Sequence, residues 1–388
     1  MIIIRSTQKH VKIDYDSISP CLTSAMGQGG GHIPMFTEEK MNNLRIRKLT
    51  PKECWRLMGF DDNDFEKAEK VNSNTQLYKQ AGNSIVVNVL ERILENLIDK
   101  EEHIRILELF GGIGACSKAL ERLKINYEIS DYVEIDKYAV KSFNAMHNTN
   151  FEPQDICEWD KDIECDLIMH GSPCQDFSLA GKQAGGDEGS GTRSSLMYET
   201  VRIVEKLKPK YVIWENVKNV ISKKHKHNFD NYLERMEELG YTNYYQVLNA
   251  KDYGIPQNRE RVFTVSIRQD QFFKQGSFWF PPKQELKLKL KDMLEGKVDE
   301  KYYLSGISPC LRSKEPNQKI DEQDCILVKN ATKQGYLEAT EGDGIDISSR
   351  MQYHRGNVQK DSIQTITTSG GNDRGVVVRD KIDLSCLD

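Results

Sequence analysis

Cys174 is the most distinctive candidate for chemistry in this sequence. It stands in DLIMHGSPCQDFSLAG, residues 166–181, just past the apolar run from Leu167 to Met169. A cysteine retained only for packing would belong on the apolar run, whereas this one follows Pro173 in a polar loop where the backbone turns. Catalytic residues concentrate in such loops, and a thiolate is a strong nucleophile. We interpret Cys174 as a candidate nucleophile, with a buried structural thiol as the alternative.

Further reactive side chains adjoin two other apolar runs. Glu215 and Asn216 end KYVIWENV, and YGIPQNRERVF places Gln257, Arg259 and Arg261 just before the run RVFTVSI. Taken alone, Glu215 is more often a carboxylate at the start of a helix than an acid. Together with Cys174, these segments predict a thiol, a carboxylate and two guanidinium groups gathered at one site.

The element that opens the core of the chain is HIRILELFGGIGACSKALERL. Its apolar run predicts a buried strand, Gly111, Gly112 and Gly114 predict a turn, and the apolar spacing that follows predicts a helix. The glycines allow a ligand near the backbone, and Glu134 in YVEID stands where a carboxylate can hold ribose hydroxyls. This pattern alone is compatible with NAD, a flavin, S-adenosylmethionine or merely a tight turn.

The remaining elements must bring these groups together. The strand-like runs CDLIMH, KYVIWENV and RVFTVSI alternate with helical stretches, which predicts an α/β fold with a parallel sheet and helices on both faces. In such a sheet the ligand crevice lies at the carboxyl ends of the strands.

Composition sets wider bounds. The chain has 388 residues, a formal net charge of −5 and no apolar segment that approaches a membrane span. It has nine cysteines and no CxxC pair, which argues against a disulfide framework and against a zinc site, so we expect a reducing, cytoplasmic setting and no metal. The charge neither supports nor excludes a nucleic-acid partner, so any phosphate-binding surface must be a local patch.

The motifs together resemble the DNA (cytosine-5) methyltransferases. The resemblance rests on LELFGGIG, GSPCQDFS, GTRSSLMYETVRIV, ENVKNV and QNRERVF across residues 104–267, and on RKLTPKECWRLMGF and QAGNSIVVNVLERI nearer the amino terminus. It implies a class I S-adenosylmethionine-dependent methyltransferase fold, a Rossmann-like sheet with helices on both faces, plus a smaller mixed target recognition domain.

The resemblance implies roles for the base-chemistry residues. Cys174 would add to carbon 6 of cytosine, Glu215 would bind ring nitrogen 3 and the exocyclic amine, and Arg261 would donate to the cytosine oxygen. Arg259 would support the loop or the phosphates. A stacked base cannot be reached, so the target must flip out of the duplex. The remaining residues assigned to substrate binding are Pro173, Gln175, Ser178, Asn216 and Gln257.

The resemblance also implies S-adenosylmethionine as the cofactor. Phe110 and the turn from Gly111 to Gly114 would face its methionine moiety and adenine, and Glu134 would hold the ribose hydroxyls. Met197 departs from the family, which commonly has phenylalanine there, and we expect this to alter packing only. The other residues assigned to the cofactor are Ile135, Asp155, Ile156, Leu196, Asn83 and Ser84.

The order of the motifs is permuted. TPKECWRLMGF and QAGNSIVVNVL close the chain in most of the family, whereas here they precede the glycine turn. Thr50, Pro51, Glu53 and Gly59 supply the cap, first position, capping box and stop of an intact helix. We therefore predict four units: 1–45, the tail of the target recognition region; 46–100, the permuted closing elements; 101–269, the catalytic core; and 270–388, the recognition domain.

The resemblance implies that the partner is duplex DNA and that the enzyme is a monomer. It also implies that, in some systems, a cognate restriction endonuclease acts separately from the methyltransferase. Two alternatives stay open. The same scaffold methylates transfer RNA in one branch of the family, which the long recognition region disfavours. A catalytically silent DNA-binding regulator is disfavoured by the intact Pro-Cys, Glu-Asn-Val and double-arginine motifs.

Overall fold

The structure is a computed structural model that describes most of the chain. The described residues are 2–6, 11–14, 35–37, 44–173, 196–271, 277–302, 326–329, 336–346, 357–365 and 374–379. Of the predicted site residues, Cys174, Gln175 and Ser178 lie outside them.

The amino-terminal elements are strands β1 (Ile2–Ser6), β2 (Val11–Asp14), β3 (Met35–Thr37) and β4 (Leu44–Lys48) and helices α1 (Pro51–Arg56), α2 (Asp62–Glu69), α3 (Asn74–Asn83) and α4 (Val87–Leu97). The central elements are β5 (Ile104–Leu109), α5 (Ala115–Leu123), β6 (Tyr127–Val133), α6 (Lys137–His147), β7 (Leu167–His170), α7 (Met197–Leu207), β8 (Tyr211–Val217), α8 (Lys226–Glu238), β9 (Tyr241–Asn249), β10 (Gln257–Asn258) and β11 (Glu260–Arg268). The carboxyl-terminal strands are β12 (Ile326–Lys329), β13 (Tyr336–Ala339), β14 (Gly344–Asp346), β15 (Val358–Gln359), β16 (Ile363–Gln364) and β17 (Arg374–Arg379). Short 3-10 helices occupy Lys218–Ile221, Ala250–Tyr253, Leu290–Met293 and Glu300–Tyr302.

A six-stranded sheet forms the centre of the molecule, in the order β6-β5-β7-β8-β11-β9. The pairs from β6 to β8 are parallel, as the sequence predicts. β11 runs antiparallel to both β8 and β9, so the expectation of an all-parallel sheet is wrong for this end. The reversal has a consequence for the site, because it places the beginning of β11 at the same edge as the carboxyl ends of the parallel strands.

Helices cover both faces of this sheet, because successive side chains of each strand point to opposite sides. One face packs against α1 to α5 through residues that include Ile106, Met169 and Ile213. The other packs against α7 and α8 through residues that include Ile168 and Trp214. The predicted α/β class, with helices on both faces of a central sheet, is confirmed.

Helix α1 begins as its sequence predicts. The Thr50 hydroxyl accepts a hydrogen bond from the Glu53 amide at 3.2 Å, and the Glu53 carboxylate accepts one from the Thr50 amide at 2.8 Å. Pro51 takes the first helical position, and Gly59 follows the helix with φ of 85°. The capping box is therefore confirmed, whereas the helix ends at Arg56 with Leu57 as its C-cap, two residues before Gly59.

Strands from the two ends of the chain share one sheet. β4 pairs antiparallel with β17 in a four-stranded sheet of order β15-β14-β17-β4, with Lys48 opposite Gly375. The other described strands form a three-stranded sheet, β2-β1-β3, and two-stranded pairs of β12 with β13 and of β10 with β16. Within the described part of the chain, no helix has both the length and the apolar character to cross a bilayer.

Candidate active site

The turn after β5 has a strained, tightly packed backbone. Phe110 and Gly112 have φ angles of 53° and 56°, in the left-handed region that suits glycine. A Cβ on Gly111 would lie 2.6 Å from the ring of Tyr132, whose hydroxyl donates to the Gly112 carbonyl at 2.5 Å. A Cβ on Gly112 would meet nothing within 4 Å. Gly111 therefore lets the turn press on β6, while Gly112 borders open space.

Glu134 is bound to this turn. Its carboxylate accepts hydrogen bonds from the Gly112 amide at 3.0 Å and from the Asp136 amide at 2.8 Å. Burial is the main influence on its pKa, which lies above the usual glutamate value. The carboxylate thus sits beside the glycine turn, where the sequence predicts an acceptor for ribose hydroxyls.

An open cavity lies at the carboxyl ends of β5, β7 and β8. It brings together Asn83 and Ser84 from the end of α3, the glycine turn, and Glu215 from β8. Its lining consists of Asn83, Ser84, Ile85, Glu108, Leu109, Phe110, Gly111, Gly112, Ala115, Cys116, Met169, Gly171 and Glu215. Segments that are about 130 residues apart in the chain therefore meet around one space.

Six described residues assigned to the cofactor are not part of this lining: Gly114, Glu134, Ile135, Asp155, Ile156 and Leu196. Ile135 is 68% exposed, and the Asp155 carboxylate accepts from the Cys157 amide at 2.9 Å. Ile156 and Met197 are buried in the core on the α7 side of the sheet, against which Leu196 also packs. Gly114 is the N-cap of α5, and a Cβ there would press on Phe143.

Glu215 and Arg261 form an ion pair at the cavity. The Arg261 Nε lies 3.0 Å from the Glu215 Oε1, and both side chains are mostly buried. Arg261 stands opposite Val217 in the β8–β11 pairing, so the antiparallel direction of β11 delivers it to the end of β8. Had β11 been parallel, residues at its beginning would have lain at the other edge of the sheet.

The segment that leads to Cys174 is fixed beside Glu215. The Asn216 Nδ2 donates to the Ser172 carbonyl at 3.3 Å, and the Trp214 Nε1 donates to the Ser172 Oγ at 3.0 Å. Pro173 follows as a half-buried residue. Gly171 lines the cavity, and a Cβ on it would lie 3.9 Å from the Glu215 Oε2. Asn216 therefore anchors the segment that leads to the predicted nucleophile.

Gln257 and Arg259 point to the amino-terminal helices. The Gln257 Nε2 donates to the Leu57 carbonyl at 2.8 Å. The Arg259 Nη2 donates to the Gly82 carbonyl at 3.2 Å and to the Ser84 carbonyl at 2.8 Å. These bonds hold both sides of Asn83, so Arg259 supports the loop that lines the cavity.

Glu108 is a site residue that the sequence interpretation missed. It is 2% exposed on β5, lines the cavity, and accepts hydrogen bonds from the amide and the hydroxyl of Ser117. Burial raises its pKa to about 7. The signal was available, because an acidic residue within an apolar strand is rarely buried without a partner.

Comparisons with known proteins give a consistent assignment. A family model described as C-5 cytosine-specific DNA methylase matches residues 7–99 and 104–384. The type II methyltransferase M2.ScrFI of Lactococcus lactis subsp. cremoris is 36% identical over 258 residues, with 52% of this chain and 71% of that protein covered. From the same organism, the type II methyltransferase M1.ScrFI is 32% identical over 289 residues, with 73% and 71% covered.

Other relatives match over less of their length. The chain spans about half of the orphan methyltransferase M.SPRI of Bacillus phage SPR, to which it is 37% identical over 232 residues, with 52% of each covered. Among solved structures, the S. pombe Dnmt2 methyltransferase has 21% identity and a TM-score of 0.38, with 52% of this chain and 62% of that chain covered.

Proposed function

Because this chain belongs to the C-5 cytosine-specific DNA methylase family, we propose that it methylates carbon 5 of a flipped-out cytosine in duplex DNA. The observation that carries the proposal is the shared cavity, which the glycine turn, the Asn83–Ser84 segment and Glu215 line together. A site for a methyl donor and a carboxylate suited to a cytosine ring thus adjoin, as a direct transfer between two bound molecules requires.

The residues present fit S-adenosylmethionine as the donor. The space at Gly112 admits a ligand against the backbone, and the Glu134 carboxylate beside it can accept from ribose hydroxyls. Asn83 offers an exposed amide on the opposite part of the lining. When bound, this cofactor supplies an electrophilic methyl group. The chain's own residues must hold it and make carbon 5 of the base nucleophilic.

The proposed chemistry begins with Cys174. Its thiolate would add to carbon 6 of cytosine, because carbon 5 is a poor nucleophile until the ring is activated. Glu215 would supply a proton at ring nitrogen 3 as electrons move there, and Arg261 beside it would donate to the cytosine oxygen. After carbon 5 has gained its methyl group, its proton would leave to solvent and the thiolate would depart, which restores the ring. The proton on ring nitrogen 3 would then return to Glu215.

The domain arrangement that we propose is a circular permutation with the boundaries 1–45, 46–100, 101–269 and 270–388. Two observations support it. β4, near the amino terminus, completes the sheet of β14, β15 and β17. The family model matches in two segments that separate between residues 99 and 104, where α4 gives way to β5.

The decisive experiment is bisulfite sequencing of DNA from cells that express the protein, paired with an assay of methyl transfer to purified duplex DNA and to transfer RNA. We expect sequence-specific cytosine methylation in DNA. Methylation of transfer RNA alone, or of neither substrate, would reject the proposal in favour of the alternatives.

The nucleophile has its own test. Cys174→Ala should abolish methyl transfer and still bind S-adenosylmethionine, because the thiol forms a bond to the base and not to the cofactor. Duplex DNA with 5-fluorocytosine at the target should trap wild-type protein covalently through Cys174, since the fluorine cannot leave as a proton does. Peptide mapping that located the link elsewhere would refute the assignment.

A further inference from the structure

A cluster of lysines adjoins the end of β8 that carries Glu215. The lysine patch consists of Lys218, Lys223, Lys224 and Lys226, all of them exposed. Lys218 directly follows β8 and contacts Glu260 at 3.0 Å, next to Arg261 on β11. Lys226 opens α8 and contacts Asp230 at 2.6 Å. Four lysines are thus gathered beside this end of β8, in a chain whose formal net charge is −5.

The positions of these lysines are unfavourable for the stability of α8. The amino-terminal end of a helix carries partial positive charge and favours acidic side chains. The first turn of α8 holds no acidic residue, and Lys223, Lys224 and Lys226 surround it. Burial, together with the nearby Lys224 and His227, also lowers the pKa of His225 at this N-cap. The positive charge therefore opposes local stability, which is expected where a surface serves a negatively charged partner.

The backbone holds this surface in place. The Ser222 carbonyl accepts hydrogen bonds from the amides of His225 at 3.0 Å and Lys226 at 2.8 Å. The Ser222 amide in turn donates to the Asn219 carbonyl at 3.0 Å, which joins the turn to the 3-10 helix after β8. Lys223 and Lys224 thus project from a turn attached to the strand of Glu215.

We propose that the lysine patch binds phosphates of the duplex that flank the flipped cytosine. This inference rests on the proposed function, because it takes Glu215 as the place where the base enters. Duplex DNA carries one negative charge per ~1.7 Å of its axis, so a duplex that delivers a base to Glu215 brings phosphates to the neighbouring lysines. The contacts would position the duplex without reading its sequence.

The test compares Lys223→Gln/Lys224→Gln with a matched control, Lys100→Gln/Lys124→Gln. The control lysines are also exposed but lie before β5 and β6, at the opposite edge of the sheet. Affinity for a duplex is measured against salt concentration. Each lost phosphate contact should reduce the slope of log K against log salt by about 0.9, so we expect a reduction of about 1 to 2 for the patch variant and none for the control.

Three further measurements separate the outcomes. Lys223→Arg/Lys224→Arg should keep the wild-type slope, and all variants should keep wild-type affinity for S-adenosylmethionine. If wild-type protein methylates DNA but the patch variant keeps its slope, this inference fails and the proposed function stands. If wild-type protein neither binds nor methylates duplex DNA, both fail, and a lysine-dependent affinity for transfer RNA alone would likewise overturn the inference.

Discussion

At the scale of single residues, the proposed chemistry depends most directly on the pair of Glu215 and Arg261. Glu215→Gln keeps the shape of the side chain but cannot supply a proton. We expect the rate of methyl transfer in a single turnover to fall by about 10²–10⁴-fold, the usual contribution of a positioned acid. The dissociation constant for DNA should change far less, because the interaction strengthens mainly in the transition state. Equal losses in rate and affinity would instead indicate a positioning role. Glu234→Gln, on the exposed side of α8, is the control.

Glu108 links the site to the stability of the fold. Burial raises its pKa to about 7 from an ordinary value of 4.5, so between these pH values the folded protein keeps a proton that the unfolded chain has released. The contribution of Glu108 to the free energy of unfolding therefore falls as pH rises through this window, by on the order of 3 kcal/mol in all. Above the window it changes no further.

Glu108→Gln should remove this pH dependence, since glutamine keeps an oxygen for the Ser117 donors but does not ionise. Urea unfolding from pH 4.5 to 7.5 measures the effect. We expect wild-type protein to lose stability relative to the variant as pH rises. The control is Glu205→Gln, an exposed change that should leave the pH profile of stability as it is. A difference in stability between wild-type protein and Glu108→Gln that stays constant with pH would contradict the prediction.

At the scale of elements, the sequence correctly predicted the features that depend only on neighbouring residues. Thr50, Pro51 and Glu53 place the start of α1 because capping involves only neighbouring residues. The strands β5, β7, β8 and β11 follow from buried apolar runs. The direction of β11 could not be predicted, because an apolar run is the same in either direction. The direction of β11 depends on its pairing with β9, to which it runs antiparallel. The sequence did not reveal β9, because the half-exposed side chains of this edge strand give a weak apolar signal.

The same limit applies to the segment from Gln257 to Arg261. The sequence places Gln257, Arg259 and Arg261 together just before the run RVFTVSI, which says nothing of where each side chain points. A break at Arg259 between β10 and β11 separates them, so that Arg261 reaches Glu215 while the other two hold the amino-terminal helices. Substrate contact by Gln257 remains a prediction. The cavity residues Asn83, Ser84 and Gly112 were predicted together because the family resemblance connects them across the permutation.

Arg259 should control cofactor binding through the loop that it holds. Arg259→Met leaves the carbonyls of Gly82 and Ser84 without these donors, at a cost of about 1–3 kcal/mol for each buried group. We expect the dissociation constant for S-adenosylmethionine to rise about tenfold, because part of that cost falls on the Asn83 loop, and 1.4 kcal/mol corresponds to tenfold. Arg259→Lys should recover part of the affinity.

The control for Arg259 lies at the far end of β11, the strand that follows it. Arg268 also donates to a backbone carbonyl, that of Lys208, far from the cavity. Arg268→Met should lower the melting temperature without changing cofactor affinity. If both variants weakened binding in proportion to their loss of stability, Arg259 would have only a general structural role.

At the scale of the whole molecule, the permutation predicts that chain order can be changed without changing the fold. A variant that begins at Glu101 and carries residues 1–100 after Asp388 through a flexible linker should fold and methylate DNA. The new ends would lie in the exposed turn between α4 and β5, where such cuts are best tolerated. Circular dichroism and the methylation assay check this.

A second rearrangement, opened between Gln257 and Asn258, is the contrast. That segment pairs with β16, and its side chains bind Leu57 and Gly82 through Gln257 and Arg259. We expect this variant to misfold, because the cut separates three parts of the structure. The proposed arrangement would be contradicted if the variant opened between Gln257 and Asn258 folded and the variant that begins at Glu101 did not.

The pairing of β4 with β17 also determines when, during synthesis of the chain, the four-stranded sheet can form. Lys48 and its partner Gly375 leave the ribosome roughly 330 residues apart, which at about 5–20 residues per second is from some 16 seconds to more than a minute. Until then β4 lacks this neighbour and presents backbone groups that can pair with other nascent chains. The four-stranded sheet is therefore assembled only after β17 has been synthesised, when α1 to α5 and the parallel strands have had time to associate. Starting the gene at Glu101 would bring these partners far closer in time.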